Sequence, residues 1–173
     1  MIDPRGPAEI RSGLGFDLHP LVPGRPLVLG GVTVPSAVGL DGHSDADVLS
    51  HAVGEALLGA LALGDLGRLF PDTDPRYRGV SSLALLMAVM ERVRARGGRL
   101  VNVDATVICQ APRLAPFLPE MAGRLAGALG VAADRVSVKA KSPEHLGLIG
   151  REEGIAAMAV VSVAVDGHGR ERP

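Results

Sequence analysis

Apolar and polar positions alternate over SGLGFDLH (12–19), and a period of two predicts a half-buried strand. PLVLGGVTVP (26–35) is β-branched around a Gly pair, which reads as strand interrupted by a turn or bulge. The period lengthens in HSDADVLSHAVGEALLGALAL (43–63), the clearest helix. There Val48, Leu49, Ala52, Val53, Ala56, Leu57 and Ala60 recur at helical spacing, and Ser44 or Asp45 can cap the start. GDLGRLFPDTDPRYRG (64–79) is dense in Gly, Pro and Asp and reads as a loop. A second helix covers 81–98, with serines at its start and a Gly pair at its stop. Arg92, Arg94 and Arg96 crowd its last turns, where cations complement the helix dipole. A strand over 100–110, a Pro-rich loop over 111–119 and a third helix over 120–130, closed by Gly130, follow. Strands over 134–140 and 154–167 complete the pattern.

Strands alternating with helices after an opening pair of strands predict an α+β fold, an α/β sandwich. The expected form is a mixed β-sheet with helices on one face, ferredoxin-like in topology. One catalytic domain spans 12–167, between a flexible tail over 1–11 and a short tail over 168–173. The last strand is apolar at nearly every position, which predicts burial on both faces. With one helical layer, the second face needs a partner, so the chain is expected to be an oligomer.

Composition narrows the class. The chain has 173 residues, near the size of one domain, and 47% are hydrophobic. Aromatics are only 2%, so the core must be built from Leu, Val, Ala, Ile and Met. A net charge of −1 gives no basic field for nucleic acid, and no aromatics interleave with a basic stripe. The single cysteine, Cys109, excludes an internal disulfide and fits a reducing compartment. The first residues carry no apolar signal core, and the apolar run over 155–165 is shorter than the ~20 residues of a spanning helix. The expectation is a cytoplasmic chain with neither a nucleic-acid nor a membrane partner.

Candidate chemistry begins with Asp17 and His19, two apart on a strand and so on one face. Alone, such a pair is a weak signal and reads first as a polar strand end. Asp47, His51 and Glu55 lie at i, i+4 and i+8, a polar stripe on a helix otherwise apolar almost all round. Buried polar groups need partners, and a cation shared with Asp17 and His19 would supply one. Asp17, His19 and His51 make an N,N,O set, the three-ligand pattern of catalytic zinc.

His43 precedes the helix and could hold a phosphate at the free N–H groups of its first turn, or be an ordinary loop histidine. Asp65, Asp72 and Asp74 could accept hydrogen bonds from a polyol or simply form turns. Lys139, Lys141, Ser142, Glu144 and Arg151 could serve a phosphate with a second hard cation, or be solvated loop charge. His145 and His168 acquire no role, and Cys109 reads as a small buried strand residue.

GFDLH, GHSDADVLSHA, ALGDLGRLFPDTDP, CQAPRL and VKAKSPEHLGLIGREEGIA occur in the order found in the 2-C-methyl-D-erythritol 2,4-cyclodiphosphate synthase family. The resemblance runs from about Gly13 to Val165. It implies cyclisation of 4-diphosphocytidyl-2-C-methyl-D-erythritol 2-phosphate with release of CMP, in non-mevalonate isoprenoid biosynthesis. It also implies a homotrimer with active sites between subunits.

Zinc would sit on Asp17, His19 and His51, and magnesium or manganese near Glu144. His43 and Ser142 match the positions that stabilise the transition state. Substrate contacts carry over to Leu18 and Ser44 beside the zinc ligands. Asp65, Leu66, Gly67, Phe70, Pro71, Asp72, Thr73 and Asp74 match the methylerythritol contacts. The cytidine loop matches Cys109, Gln110, Ala111, Pro112, Arg113, Leu114 and Ala115. The phosphate-side set is Lys141, Ser142, Pro143 and Glu144, with Leu148 and Arg151 towards the trimer axis.

Departures are visible. Lys141, Ser142 and Pro143 stand where threonines are common, Glu55 where Asp is frequent, and Leu148 where Phe is frequent. Two other classes fit the same residues. One is a zinc hydrolase with Glu55 or Asp47 as base. The other is a non-catalytic trimeric module for a nucleotide or isoprenoid diphosphate. The four aromatics, Phe16, Phe70, Tyr77 and Phe117, fall in or beside the site segments. Phe16 and Phe70 are expected beneath the metal and polyol loops.

Overall fold

A computed structural model describes residues 8–166. The segments 1–7 and 168–173, assigned to tails, lie outside the described residues. The elements are β1 (Glu9–Pro23), β2 (Leu27–Leu29), β3 (Val32–Val34), β4 (Val38–Leu40), α1 (Val48–Ala60), α2 (Leu66–Leu69), α3 (Ser82–Ala95), β5 (Gly98–Ile108), α4 (Leu118–Leu129), β6 (Val136–Lys141), α5 (Gly147–Gly150) and β7 (Gly154–Val165). β1 begins inside the segment read as a tail, because Glu9 to Arg11 pair with β7.

The main sheet runs β4-β1-β7-β5-β6, and β2 pairs with β3 separately. β7 is antiparallel to both neighbours, while β5 and β6 are parallel, so β1, β5 and β6 all point the same way. This is a mixed sheet, but not a ferredoxin-like one. That topology alternates β-α-β-β-α-β. Here α4 carries the chain from β5 to a parallel edge strand, β6. The chain then returns to insert β7 between β1 and β5.

The helical layer sits on one face. α1 packs across β1 and β7, α3 on α1 and β5, and α4 on β6 and α3. Gly13 and Gly15 explain how closely α1 can lie. A Cβ on Gly13 would fall 1.9 Å from the Ala56 carbonyl oxygen, and one on Gly15 would fall 1.9 Å from that of Ala52. Only glycine on the strand and alanine on the helix permit this approach, and it sets His51 beside the end of β1.

α1 starts at Val48, not at His43, because Asp47 is its cap. The fully buried Asp47 carboxylate accepts from the Leu49 and Ser50 amides and the Ser50 hydroxyl. It also accepts from the amides of Gly30 and Gly31. Those glycines form the two-residue turn between β2 and β3, both at positive φ, as hairpin turns of this length favour. Asp47 therefore joins the hairpin to the helix and does not face Asp17. Asp45, with Ser44 an expected cap of α1, instead accepts from the Ser82 amide at the start of α3. At the far end of α3, Arg94 donates to the Leu129 carbonyl, satisfying the last turn of α4 rather than its own.

The buried core is aliphatic throughout, as composition requires: no aromatic ring is among the buried residues described. β7 is buried on its helix-facing positions, Ile155, Ala157, Ala159, Val161 and Val163. Its other face is only partly covered in the single chain: Ala156 and Ala164 are buried there. Met158 and Val160 are about half exposed, beside Leu14, Phe16 and Leu18 of β1. Phe16 thus lies on the face opposite α1, not beneath the metal loop. Phe70 does lie in the 64–79 loop, edge-on to Tyr77 at 5.3 Å between ring centres. Among the described residues, no helix is long and apolar enough to cross a membrane.

Candidate active site

β1, β5 and β6 end at the same edge of the sheet, and ligands in such sheets bind beyond the carboxyl ends of the parallel strands. Asp17 and His19 lie in the second half of β1, Cys109 follows β5, and Lys141 closes β6 just before Ser142.

Asp17, His19 and His51 converge. Asp17 Oδ2 lies 3.0 Å from His19 Nε2 and 2.9 Å from His51 Nδ1, and the two ring nitrogens are 3.3 Å apart. Proton counting shows what such a triangle wants. His19 Nδ1 donates to the Asp41 carbonyl at 2.6 Å, so Nε2 is left with a lone pair. His51 Nε2 lies 2.9 Å from Ser82 Oγ, whose own proton goes to the Asp45 carboxylate. The His51 Nε2–H can therefore donate to Ser82, leaving Nδ1 as a second lone pair. Three acceptors then face one point, which calls for a cation or for added protons. Among the described residues this is the one group of three or more His, Cys, Asp or Glu with converging ligand atoms. Burial alone would raise the Asp17 carboxyl, but the hydrogen bonds and charges of His19 and His51 hold it well below the usual range. The bond to Asp17 raises His19, against the effect of burial.

A pocket of about 380 Å³ opens over this triangle, lined also by His43, Ser44, Glu55, Leu66, Gly67, Phe70, Asp72 and Tyr77. Glu55 accepts from the Leu66 amide at 3.0 Å, and burial raises its carboxyl. An adjoining hollow of about 320 Å³ shares His43 and Asp72 and adds Thr73, Pro75 and Arg78. His43 is in the pocket, but not at a helix N-terminus: the first amides of α1 belong to Asp47. Asp65 accepts from the Arg68 amide and caps α2. Asp74 caps the 3-10 turn Pro75–Tyr77 and pairs with Arg76. Pro71 lies between Phe70 and Asp72. The Leu18 side chain alternates to the open face, and its amide donates to Asp17.

A second pocket, about 270 Å³, is lined by Cys109, Gln110, Ala111, Pro112, Arg113, Leu114 and Ala115 with Ala140, Lys141 and Ser142. Its Ala111–Pro112 bond is cis. It contains two cations and no acid, the reverse of the pocket over Asp17, His19 and His51. Gln110 ties the two segments together, accepting from Ser142 Oγ at 3.4 Å and from the His145 amide at 3.0 Å. Glu144 and His145 both have left-handed backbones, φ 54° and 62°, uncommon outside glycine. Ser142 Oγ braces that turn by accepting from the Glu144 amide. Pro143, Glu144, Leu148 and Arg151 line neither of these two pockets. Arg151 is paired with Glu153 at 2.6 Å, and Lys139 with Asp104, away from the loop. No residue lines both pockets.

Four residues that brace the Asp17, His19 and His51 triangle escaped the sequence pattern: Asp41, Asp45, Ser82 and Arg25. Arg25 donates to the carbonyls of Gly42 and Ser44, fixing the loop that contacts both histidines. Asp45 lies inside a motif, so its acidity was visible, but its partner Ser82 is 37 residues away. Cys109 donates to the Ala111 carbonyl, and burial pushes its thiol up to about 11. With so little thiolate at pH 8, its alkylation by iodoacetamide is expected to run roughly 100-fold slower than that of an exposed cysteine. Mass spectrometry of timed aliquots checks this.

Residues 10–164 match the YgbB family. The chain belongs to the YgbB family. This YgbB-family chain is 60% identical over 152 residues to 2-C-methyl-D-erythritol 2,4-cyclodiphosphate synthase of Laribacter hongkongensis, covering 88% of this chain and 94% of that protein. It is 56% identical over 158 residues to the protein of that name from Syntrophobacter fumaroxidans, covering 91% and 99%. Among solved structures, the IspF of Plasmodium falciparum in complex with CDP matches with a TM-score of 0.80 at 29% identity, over 91% of this chain and 97% of that one. The bifunctional IspDF of Campylobacter jejuni matches with a TM-score of 0.88 at 41% identity, over 94% of this chain but 44% of that one. The YgbB-family chain is an enzyme, of the lyase type its curated relatives' names describe.

Proposed function

We propose that the chain converts 4-diphosphocytidyl-2-C-methyl-D-erythritol 2-phosphate to 2-C-methyl-D-erythritol 2,4-cyclodiphosphate and CMP, in isoprenoid biosynthesis. The observation that carries this reading is the triangle of proton-poor ligand atoms on Asp17, His19 and His51, at the floor of a pocket with Asp72 and Glu55. The names of the relatives supply the reaction class.

An oxygen of the 2-phosphate forms a bond to the β-phosphorus, and the bond from that phosphorus to the oxygen bridging to the α-phosphate breaks. CMP leaves with the electron pair. The nucleophile is already anionic near neutral pH, so no strong base is needed. Asp47, the alternative base of a hydrolase, is buried at a helix cap and lines no part of the pocket. The main task is to fold one flexible molecule, and well-oriented intramolecular attack contributes about 7–11 kcal/mol. Asp72 and the 65–74 loop would hold the polyol, and the 109–115 loop the cytidine. His43 and Ser142 would donate to phosphoryl oxygens as charge shifts between them. Zinc on Asp17, His19 and His51, with magnesium or manganese at Glu144, would supply the positive charge that offsets repulsion between phosphates.

The assembly we propose is a homotrimer with sites between subunits, in the cytoplasm. Two features support it. The sheet carries an uncovered apolar row of Leu14, Phe16, Leu18, Met158 and Val160. The acidic and the cationic pockets share no residue in one chain, so a neighbouring copy is the means of bringing a cationic pocket to the metal.

Phosphorus NMR of the candidate substrate with the purified protein tests the reaction. A cyclic diphosphate with CMP is the expected product. An open-chain diphosphate would make the protein a hydrolase, and unchanged substrate would make it a binding module. Sedimentation equilibrium of the same preparation is expected to give three times the chain mass.

A further inference from the structure

Each histidine of the metal triangle has one ring nitrogen in the site and one outside it, and the outer contacts differ in kind. His19 leans on a backbone carbonyl. His51 leans on a side chain from another helix. Ser82, the first residue of α3, is 1% exposed, and its Oγ lies 2.9 Å from His51 Nε2. The Ser82 hydroxyl donates to the Asp45 carboxylate, which also accepts from the Ser82 amide at 3.1 Å through each oxygen. Ser44 Oγ lies farther off, 3.3 Å from His51 Nε2 and 3.4 Å from Ser82 Oγ, and accepts from the Ala46 amide.

A serine hydroxyl has one proton and can accept through its lone pairs. Asp45 is an obligate acceptor when ionised, so it takes that proton. The Ser82 oxygen is then an acceptor where it meets His51. An acceptor at Nε2 selects the imidazole form that carries its proton there and presents the Nδ1 lone pair to the triangle. We infer that Ser82, oriented by Asp45, is a positioning residue that sets the tautomer and ring angle of His51 for the metal. This rests on the metal reading of the triangle. The same carboxylate caps α3 through the Ser82 amide, so the register of that helix and the aim of the ligand are fixed by one group. Outer partners of metal-bound histidines commonly contribute 10–100-fold in metal affinity.

The test is zinc binding by chelator competition for the parent, Ser82→Ala and Ser82→Thr, with the melting temperature of each measured in EDTA. Ser82→Ala keeps the backbone amide that bonds Asp45, so α3 keeps its cap. It is expected to weaken zinc binding 10–100-fold with little change in the metal-free melting temperature. Ser82→Thr keeps the hydroxyl and is expected to restore most of the affinity. In the zinc-loaded parent, histidine nitrogen NMR should show His51 metal-bound at Nδ1 and protonated at Nε2. The Nε2 proton should exchange faster in Ser82→Ala, where Ser44 Oγ at 3.3 Å is the remaining hydroxyl beside it. Equal zinc affinity in the parent and Ser82→Ala, or coordination through Nε2, would overturn the inference alone. A parent that takes up no zinc would overturn the metal reading and this inference with it.

Discussion

His51→Ala is expected to abolish stoichiometric zinc binding and to lower turnover by about 1,000-fold or more, while the fold survives. The size follows from the charge problem: a Lewis acid on a phosphoryl group is worth several kcal/mol, and each 1.4 kcal/mol is tenfold in rate. The survival follows from where His51 sits. It projects from α1 towards the pocket, outside the row of Ala52 and Ala56 that seats the helix on β1. Its partners are Asp17, Ser82 and Ser44. Removing the ring leaves Asp17 with His19 and leaves Ser82 with Asp45, so no buried charge is stranded. Metal content by atomic emission and turnover by phosphorus NMR make the comparison. The parent, stripped with chelator, should recover with added zinc, and the variant should not. A variant that keeps one zinc per chain would remove His51 from the ligand set. One that loses zinc yet keeps its rate would remove the metal from the chemistry.

The convergence of Asp17, His19 and His51 was legible because each obeys a local periodicity. Asp17 and His19 share a face through the two-residue repeat of a strand, and His51 stands on a helix whose apolar pattern is strong. What places them together, and what aims them, was not. The starting point of α1 was misjudged because Ser44, Asp45 and Asp47 are all good caps by composition. The winner is decided by Gly30 and Gly31, whose amides meet Asp47 from a distant hairpin. The α1 amides expected to help His43 hold an anion are taken for the same reason, since Asp47 already bonds them, and His43 reaches the pocket from the loop. Sheet topology was misread because propensity gives strand existence and not order. Whether the last strand lies at the edge or inserts centrally depends on pairings across the whole chain. The aromatic residues misled in part. Phe70 lies in the pocket, but Phe16 follows strand alternation to the opposite face, and one residue of phase decides that.

Gly15→Ala is expected to cost about 3 kcal/mol or more, above the middle of the usual range for overpacking, and to abolish zinc binding as well. The added Cβ would stand 1.9 Å from the Ala52 carbonyl oxygen and 2.6 Å from the Ala56 amide nitrogen. Both are backbone atoms of α1, so no side chain can rotate to relieve the contact and the helix itself must move. His51 is the neighbour of Ala52, and Asp17 is two residues from Gly15 on the same face of β1. A helix displaced there carries His51 away from Asp17 and His19, whose ligand atoms now lie within 3.3 Å of one another. Functional geometry of this kind tolerates only about 0.5 Å.

Gly59→Ala, on the same helix, is the contrasting case. Its Cβ would meet nothing closer than the Leu14 carbonyl oxygen at 3.9 Å, and the position is exposed. Replacing a helical glycine there should stabilise by roughly 0.5–1 kcal/mol through reduced backbone freedom in the unfolded chain. Urea unfolding in the presence of chelator, at one protein concentration, reads the stability of each variant without the metal, and zinc titration reads the site. If Gly15→Ala unfolds early but still binds zinc as the parent does, the close seat of α1 on β1 governs the core and not the ligands. If it binds weakly and unfolds early while Gly59→Ala does neither, one strand–helix approach sets both. The two glycines of β1 are then as much a part of the site as the histidines they bring together.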